Sequence, residues 1–554
     1  MNKKFLKKII AQSPKDLELI SALSAGSKAK IEDIKYLPKN KIFLLLVNRK
    51  EKENNNEIIN SIIKFSFVDS CKSKNIDHKN PDKIIELITI NILKKNNNYQ
   101  ILLLFSKNSY ISLNSEIIDV ELCDQKINWM IKILDSNKKN FFLKLNNFLN
   151  NRRIVKKSNS KIVQKIIEDV KINGFKGLKK YEKIYSSNNS IKPSKKEINK
   201  AIRRLDPKVK RAIDFAYNKI SDFHKKQLDS LKNISYTDKY KNKLEYKTVP
   251  ISKIGIYTPS GLPTSLLMTA ILARLAKVKN IVLATPKTNG KLNPAIMYVA
   301  KKTGITSILS CGGSQAVAAL VYIMKCEKIV GPGNLWVSEA KRQLSGKIIG
   351  TEAMHAGESE ILVIADKKTN TNQIITSLLG QLEHGPESES ILISKDQKVI
   401  NRVKKEIPKV LKNLPRKNII TKAIRNNCIM IKAKSDKDII DSVNLIAPEH
   451  LEINVKNYKK YLKFIINAGS IMCGENSAMV LTDFGVVGTN HCLPTHGSAK
   501  YSSGLNIGEF VKKISIVKLS NFGVEKIYNH AITLSEFEGF RAHTLSIKSR
   551  IRRS

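Results

Sequence analysis

Between residues 252 and 473 short apolar runs alternate with longer amphipathic stretches, and this alternation constrains the fold more than any other feature of the sequence. Strand-like runs at 252–257, 280–285, 305–310 and 328–330 are followed by helical stretches at 264–277 and from Pro294, Ser314 and Leu335. Asn293 reads as a helix cap with proline at the first helical position, and Gly304 stops that helix. A second series gives strand 360–365, helix 371–384, strand 390–394, helix 397–413, strand 428–433, helix 435–446 and strands 451–455 and 470–473. Repeated βα units of this length require parallel sheets covered by helices on both faces. The expected fold is therefore α/β, with two doubly wound, Rossmann-like parallel-sheet units.

The 554 residues exceed what one core organises, and the flanks read differently from the centre. Apolar runs at 42–47, 61–68, 84–93, 100–105, 110–113 and 116–122 predict a small, mainly-β (α+β) N-terminal domain with antiparallel strands. A helical pattern over 125–150 closes it, with Ser136–Asn140 as a candidate linker near Met130. Residues 141–245 are helical and highly charged, a helical arm suited to dimer contacts. The expected division is 1–137 as the N-terminal domain and 138–554 as the main region. Within the latter, 138–250 is arm and lead-in, 251–350 the first Rossmann-like unit, 351–490 the second and 491–554 a C-terminal tail.

A formal charge of +49 invites a polyanion partner, but lysine is spread over every segment and aromatics make up only 6% of the chain. Clustered cations and stacking rings are what nucleic-acid binders use, so no specific nucleic acid is expected. The seven cysteines are odd in number, scattered and without a C-x-x-C pair, which argues against disulfides and fits a reducing cytoplasm. The opening MNKKFLKKII is interrupted by lysines, so neither an export signal nor a membrane span is expected.

Histidine is scarce, nine in the chain, yet His384, His450, His491 and His543 stand among carboxylates, an amide and glycine-rich turns. Gln381 and His384 are three apart near a helix end and share a face; such a pair is either an ordinary surface or core pair or part of a metal site. Imidazole and carboxylate, with Asp483 and the Glu449–His450 pair, suit zinc, and a neutral glutamine carbonyl would leave the ion more electron-poor. The loops Gly312–Gly313–Ser314–Gln315 and Gly331–Pro332–Gly333–Asn334 fall at strand carboxyl ends. Neither is a G-x-G-x-x-G fingerprint, so they are either tight turns or cofactor contacts. His224 reads as a packing or surface residue, and Cys71 and Cys123 as core residues of strands. His78, the only histidine of the N-terminal domain, has no catalytic company.

The motifs GGSQAVAAL, KIVGPGNLWVSEAKRQL, AGESEILVIAD, GQLEHGPESESILIS, APEHLEI, NAGSIMCG, GTNHCLPTHG and SEFEGFRAHTLSIKSR follow one another in the main region. From about residue 141 onward the sequence resembles the histidinol dehydrogenase family. The resemblance implies NAD-dependent, four-electron oxidation of L-histidinol to L-histidine through histidinaldehyde, the last step of histidine biosynthesis. It implies one zinc ion per subunit of a homodimer, held by Gln381, His384, Asp483 and His543, with His543 reaching in from the second subunit. Glu449 and His450 then match the proton-transfer pair. Ser359, His491 and Glu538, with the zinc ligands and His450, match substrate contacts, and Tyr257, Gln315 and Asn334 match NAD contacts. Three departures stand out: a shortened loop after Tyr257, a contracted stretch from Gln315 to Asn334, and one extra residue between Asp483 and His491. His355 and His496 match no ligand position and read as neighbours of the site. The N-terminal part resembles a small uncharacterised bacterial family often encoded beside histidinol dehydrogenases. A zinc hydrolase using the same ligands, with an RNA-binding or regulatory N-terminal module, is the alternative reading.

Overall fold

A computed structural model describes residues 8–50, 58–77, 80, 83–95, 98–124, 131–152, 160–186, 188, 190–352 and 357–551. His78 and His355 lie outside the described residues. The chain divides into two compact units, Met1–Met130 and Ile131–Ser554.

The first unit is a ten-stranded sheet, antiparallel throughout, running from the edge strand Lys8–Ala11 to Val68–Lys74. Strand Ser109–Ser115 shows why the apolar runs were legible: its residues alternate between buried and half-buried, the period-two signature of a sheet with one face on the core. The helix Pro14–Ser24, capped by Ser13 with proline at its first position, packs on strand Ile84–Lys95. Cys71 and Cys123 do lie on strands, but both are only half-buried rather than core residues.

The second unit holds the two parallel sheets. In the first, the spatial order is Ser307–Leu309, Asn280–Ala284, Lys253–Tyr257, Lys328–Val330 and Gly350–Thr351, which is 3-2-1-4-5 in chain order. That is the doubly wound arrangement, with the order reversing beside the first strand. Helices Pro207–Lys225, Pro263–Leu275 and Pro294–Lys302 cover one face, while Ser160–Ser186, Gly313–Ala318 and Leu335–Leu344 cover the other. The lead-in helices therefore bury their apolar stripes on this sheet. His224 is buried there, edge-on to Phe223.

The second sheet repeats the order with Cys428–Lys432, Glu389–Ser394, Glu360–Ala365, His450–Asn454 and Ser470–Cys473. Its three central strands are buried along their whole length, as parallel strands covered on both faces must be. A sixth strand, Lys132–Asp135, pairs parallel with Cys428–Lys432 at the outer edge. The helical reading of 125–150 is thus corrected to this strand followed by helix Phe141–Arg152; residues 125–130 lie outside the described residues. Ser136 belongs to the second unit rather than to a linker, because its hydroxyl donates to Asp438 at 2.7 Å and its N–H to the Lys432 carbonyl. Helix Lys417–Asn427, absent from the sequence reading, covers the face near strand Glu389–Ser394.

Strands Ile234–Thr237, Lys243–Pro250 and Val511–Lys518 form a separate small antiparallel sheet, followed by helices Asn521–Phe537 and Arg541–Lys548. These elements form the arm of the fold, since the two helices bury only Gly523, Ser535 and Thr544. Among the described residues no helix is long and apolar enough to cross a membrane.

Arg49, 2% exposed, holds the first unit together from inside: its guanidinium contacts both oxygens of Asp124 at 2.8 and 2.7 Å and donates to Ser61 at 3.0 Å. Removing one partner of a buried pair leaves an uncompensated charge and costs about 3–5 kcal/mol. Arg49→Leu should therefore lower hydrogen-exchange protection across residues 8–124 of the full chain, and Arg49→Leu/Asp124→Leu should recover most of it. Unchanged protection in the single variant would contradict this account.

Candidate active site

Two neighbouring strands of the second sheet, Glu360–Ala365 and His450–Asn454, start side by side, with Ile361 opposite His450. Pro448–Glu449 precedes the second of them, so Glu449 and His450 emerge at the amino edge of the sheet. There the Glu449 carboxylate accepts the Glu360 N–H at 2.8 Å, and His450 Nδ1 donates to the Glu360 carbonyl at 3.1 Å. Glu449 Oε2 also lies 3.4 Å from His450 Nδ1. With Nδ1 committed, Nε2 is the nitrogen left for a ligand. It is buried, has no hydrogen-bond partner, and stands 3.8 Å from Asp483 Oδ1. Burial alone would lower the His450 pKa, but the Glu449 and Asp483 carboxylates outweigh it and push it up to about 9.

Asp483 ends the short helix Met479–Asp483, which Glu452 holds by accepting the Met479 N–H at 2.6 Å. Its second oxygen lies 3.9 Å from His384 Nε2. Helix Thr371–Leu382 packs on Met479–Asp483 and delivers Gln381 from its last turn, with half-exposed His384 just beyond the end. Ser359 is half-buried at the same strand edge, its carbonyl accepting the Glu389 N–H at 3.0 Å. His491 Nδ1 donates to the Asp483 carbonyl at 2.7 Å, and Nε2 meets Ser265 Oγ at 2.9 Å. Ser265 begins the helix that follows strand Lys253–Tyr257, so this contact joins the amino edge of the second sheet to the carboxyl edge of the first. Burial lowers the His491 pKa. His496 pairs with Glu358 at 3.2 Å and gives its N–H to Glu360 at 2.8 Å.

Could these residues hold a cation? Gln381 is 1% exposed, and neither atom of its amide has a partner. A buried amide left so costs about 1–3 kcal/mol unless something outside the chain satisfies it. Its carbonyl, the Asp483 carboxylate and the His384 imidazole form a donor set of the kind zinc accepts. The residues fit, although among the described residues no three His, Cys, Asp or Glu side chains close into a cluster by themselves. His543 and Glu538 are not brought to this place. Both are exposed at the C-terminal helices, where the His543 ring lies 5.1 Å from Phe540.

The positions singled out for the cofactor gather at the carboxyl edge of the first sheet. Tyr257 ends its strand, 4% exposed, and burial pushes its phenol up to about 12. Gly331, at φ +111°, has no room for a Cβ against the Tyr257 carbonyl, so this loop needs glycine. Asn334 caps helix Leu335–Leu344 with its side-chain oxygen, leaving only its NH₂ for a ligand. Gln315 is buried, and its amide donates to Glu182 at 2.8 Å. The sequence reading missed Glu182, Ser265, Glu360 and Glu452. Glu182 and Glu360 carry a usable signal, since each is a charge set in an otherwise apolar stripe or strand.

Residues 149–551 match the family model described as histidinol dehydrogenase. The chain belongs to the histidinol dehydrogenase family. It is 49% identical over 431 residues to the histidinol dehydrogenase of Pelagibacter ubique, 76% of this chain and all of that one. It is 35% identical to histidinol dehydrogenase 1 of a Nostoc species, over 76% of this chain and 98% of the relative. The crystal structure of histidinol dehydrogenase from Elizabethkingia anophelis superposes with a TM-score of 0.71 at 32% identity, covering 76% of this chain and 98% of that one. Residues 7–140 match a family described as a protein of unknown function, DUF2948. The chain is thus a histidinol dehydrogenase region, an oxidoreductase of histidine biosynthesis, fused to a domain of uncharacterised type.

One prediction follows from the unpartnered amide. In chelator-treated protein Gln381→Leu should raise the stability of the second unit by about 1–3 kcal/mol, because it removes a buried polar group that nothing satisfies. Calorimetry of the metal-free variant checks this; a destabilised variant would show that the chain itself satisfies the amide.

Proposed function

We propose that this histidinol dehydrogenase carries out both oxidations at the site described above: L-histidinol and NAD⁺ give L-histidinaldehyde, NADH and a proton. The aldehyde, water and a second NAD⁺ then give L-histidine, NADH and further protons. The observation that carries the reading is the buried, partnerless His450 Nε2 at 3.8 Å from the Asp483 carboxylate, with a second orphaned group, the Gln381 amide, on the helix that packs against the one ending in Asp483.

Hydride leaves an alcohol carbon only if the hydroxyl proton is taken. His450 Nε2 is the acceptor once the ring is neutral. The Glu449 and Asp483 carboxylates favour its proton in the metal-free chain, so turnover requires that proton to leave first, while Nδ1 stays fixed on the Glu360 carbonyl and keeps the ring from turning away. A positioned base of this kind contributes about 10²- to 10⁴-fold. Glu449, next to it in sequence and held by the Glu360 N–H, takes the proton from water for the second oxidation. Ser359 and His491, with Glu538 of the partner subunit, hold the substrate, and Tyr257, Gln315 and Asn334 hold the dinucleotide on the other side of the Ser265–His491 contact. One zinc ion per subunit, held by Gln381, His384, Asp483 and His543 of the partner subunit, would anchor the substrate's nitrogens and polarise its oxygen, with NAD⁺ as hydride acceptor.

The homodimer rests on the exposure of the arm. Phe537 is 89% exposed, and Leu534, Phe540 and Leu545 are bared beside it, an apolar surface that soluble monomers seldom leave open. The seven free cysteines support a cytoplasmic setting.

Purified protein should form two NADH per L-histidinol, and removal of metal should abolish turnover; a single NADH with accumulated aldehyde would sink the four-electron reading. His450→Asn should slow turnover with zinc retained, whereas His384→Asn should lose the metal. Subunit sharing has its own test. When inactive His384→Ala and His543→Ala proteins are mixed and allowed to exchange subunits, a shared site predicts recovered activity, because one site of each heterodimer is intact. No recovery after demonstrated exchange would place His543 in its own subunit's site.

A further inference from the structure

Helix Ser160–Ser186 turns Val163, Ile166, Ile167, Val170, Leu178 and Tyr181 onto the first sheet. Glu182 follows on the same stripe, one helical turn after Leu178, and is 1% exposed. A charge so deeply buried persists only if donors surround it. Its Oε1 accepts the Gly312 N–H at 3.0 Å and the Gln315 side-chain amide at 2.8 Å, and Oε2 lies 3.5 Å from the Asn188 amide. Asn188 in turn donates to the Ser310 carbonyl at 2.5 Å. The carboxylate therefore binds the strand-to-helix turn at 310–315 from beneath. It also folds the Gln315 amide back over Gly313, where a Cβ would meet Gln315 Oε1 at 2.8 Å. Gly313, at φ +64°, is glycine in consequence.

We propose that Glu182 is a positioning residue for the dinucleotide: it fixes Gln315 and the Gly312–Gly313 turn in one geometry before the cofactor arrives. The proposal rests on the reading that this edge of the first sheet holds NAD. Charge-assisted hydrogen bonds hold their donors more firmly than neutral ones. An amide frozen in advance also gives up no rotamer freedom on binding. Glu182 has a second effect through its charge. The Gly312 N–H already serves a carboxylate, so the turn offers that donor to no phosphate oxygen, and the cofactor's phosphates fall to the other loop, Gly331–Asn334.

Two variants of the full-length, zinc-loaded protein test this. Glu182→Asp keeps the charge but withdraws the oxygens by one methylene, and Glu182→Gln keeps an acceptor oxygen at full reach. NADH binding by fluorescence titration, KM for NAD⁺, KM for L-histidinol, zinc content and thermal unfolding are measured for each. In E182D, NADH Kd and KM for NAD⁺ should rise about tenfold, the loss of one charge-assisted bond, while KM for L-histidinol and zinc content stay put. E182Q, which keeps an acceptor at full reach but loses the charge, should raise the NADH Kd less than E182D does. Unchanged NADH binding in folded E182D overturns the proposal. So does a parallel loss of NAD⁺, histidinol and zinc affinity, which marks general structural damage, and so does an E182Q protein that binds NADH as poorly as E182D. Failure of the wild-type protein to bind NADH at all overturns instead the reading of the edge, and the proposal with it.

Discussion

The backbone of Glu360 holds the proposed proton-transfer pair. Its N–H goes to the Glu449 carboxylate and its C=O to the His450 ring, so both side chains are referenced to the backbone of one buried strand residue. The parallel register that sets Ile361 opposite His450 makes this double contact available, and a slip of one residue would turn His450 to the other face of the sheet. The strands that fix the register are buried from end to end, so the stiffness of the site is that of the core beneath it. Asp483 joins the frame through Glu452, which holds its helix from the same strand that begins with His450.

The two sheets share a strand order but present opposite edges to the site. The first uses its carboxyl edge, where loops following strands gather in doubly wound folds. The second uses its amino edge, where helices end and strands begin, and this is why Gln381 and His384 come from a helix C-terminus and Glu449–His450 from a strand start. Ser265 and His491 close the gap between them at 2.9 Å.

How far this could be read from the sequence depended on whether the signal was periodic. The strand Glu360–Ala365 falls where its apolar run puts it because burial on both faces leaves a continuous apolar run. The half-buried edge strand Ser470–Cys473 also falls at its expected place, and the helix boundaries at Asn293 and Gly304 hold because caps have few chemical solutions. Strand Lys132–Asp135 was invisible: four residues long, with Lys132 and Ile133 exposed, it is a strand only because Cys428–Lys432 lies beside it. In the site, the rare histidines were legible as a group, but the carboxylates that orient them were not. Glu452 and Glu182 accept the Met479 and Gly312 N–H groups and the Gln315 amide, and Glu360 acts through its own backbone N–H and C=O. Even where the charge stands out in an apolar stretch, no spacing along the chain reveals these partners.

The strand Lys132–Asp135 also bears on how this chain came to be one piece. It lies within the segment matched by the uncharacterised N-terminal family, yet its hydrogen bonds complete the outer edge of the dehydrogenase sheet. A chain begun after it would expose the ladder of Cys428–Lys432, an open, largely apolar row of the sort that recruits strands from other molecules. The strand therefore belongs to the dehydrogenase unit, and cutting the chain after it would exchange a finished sheet edge for an open one.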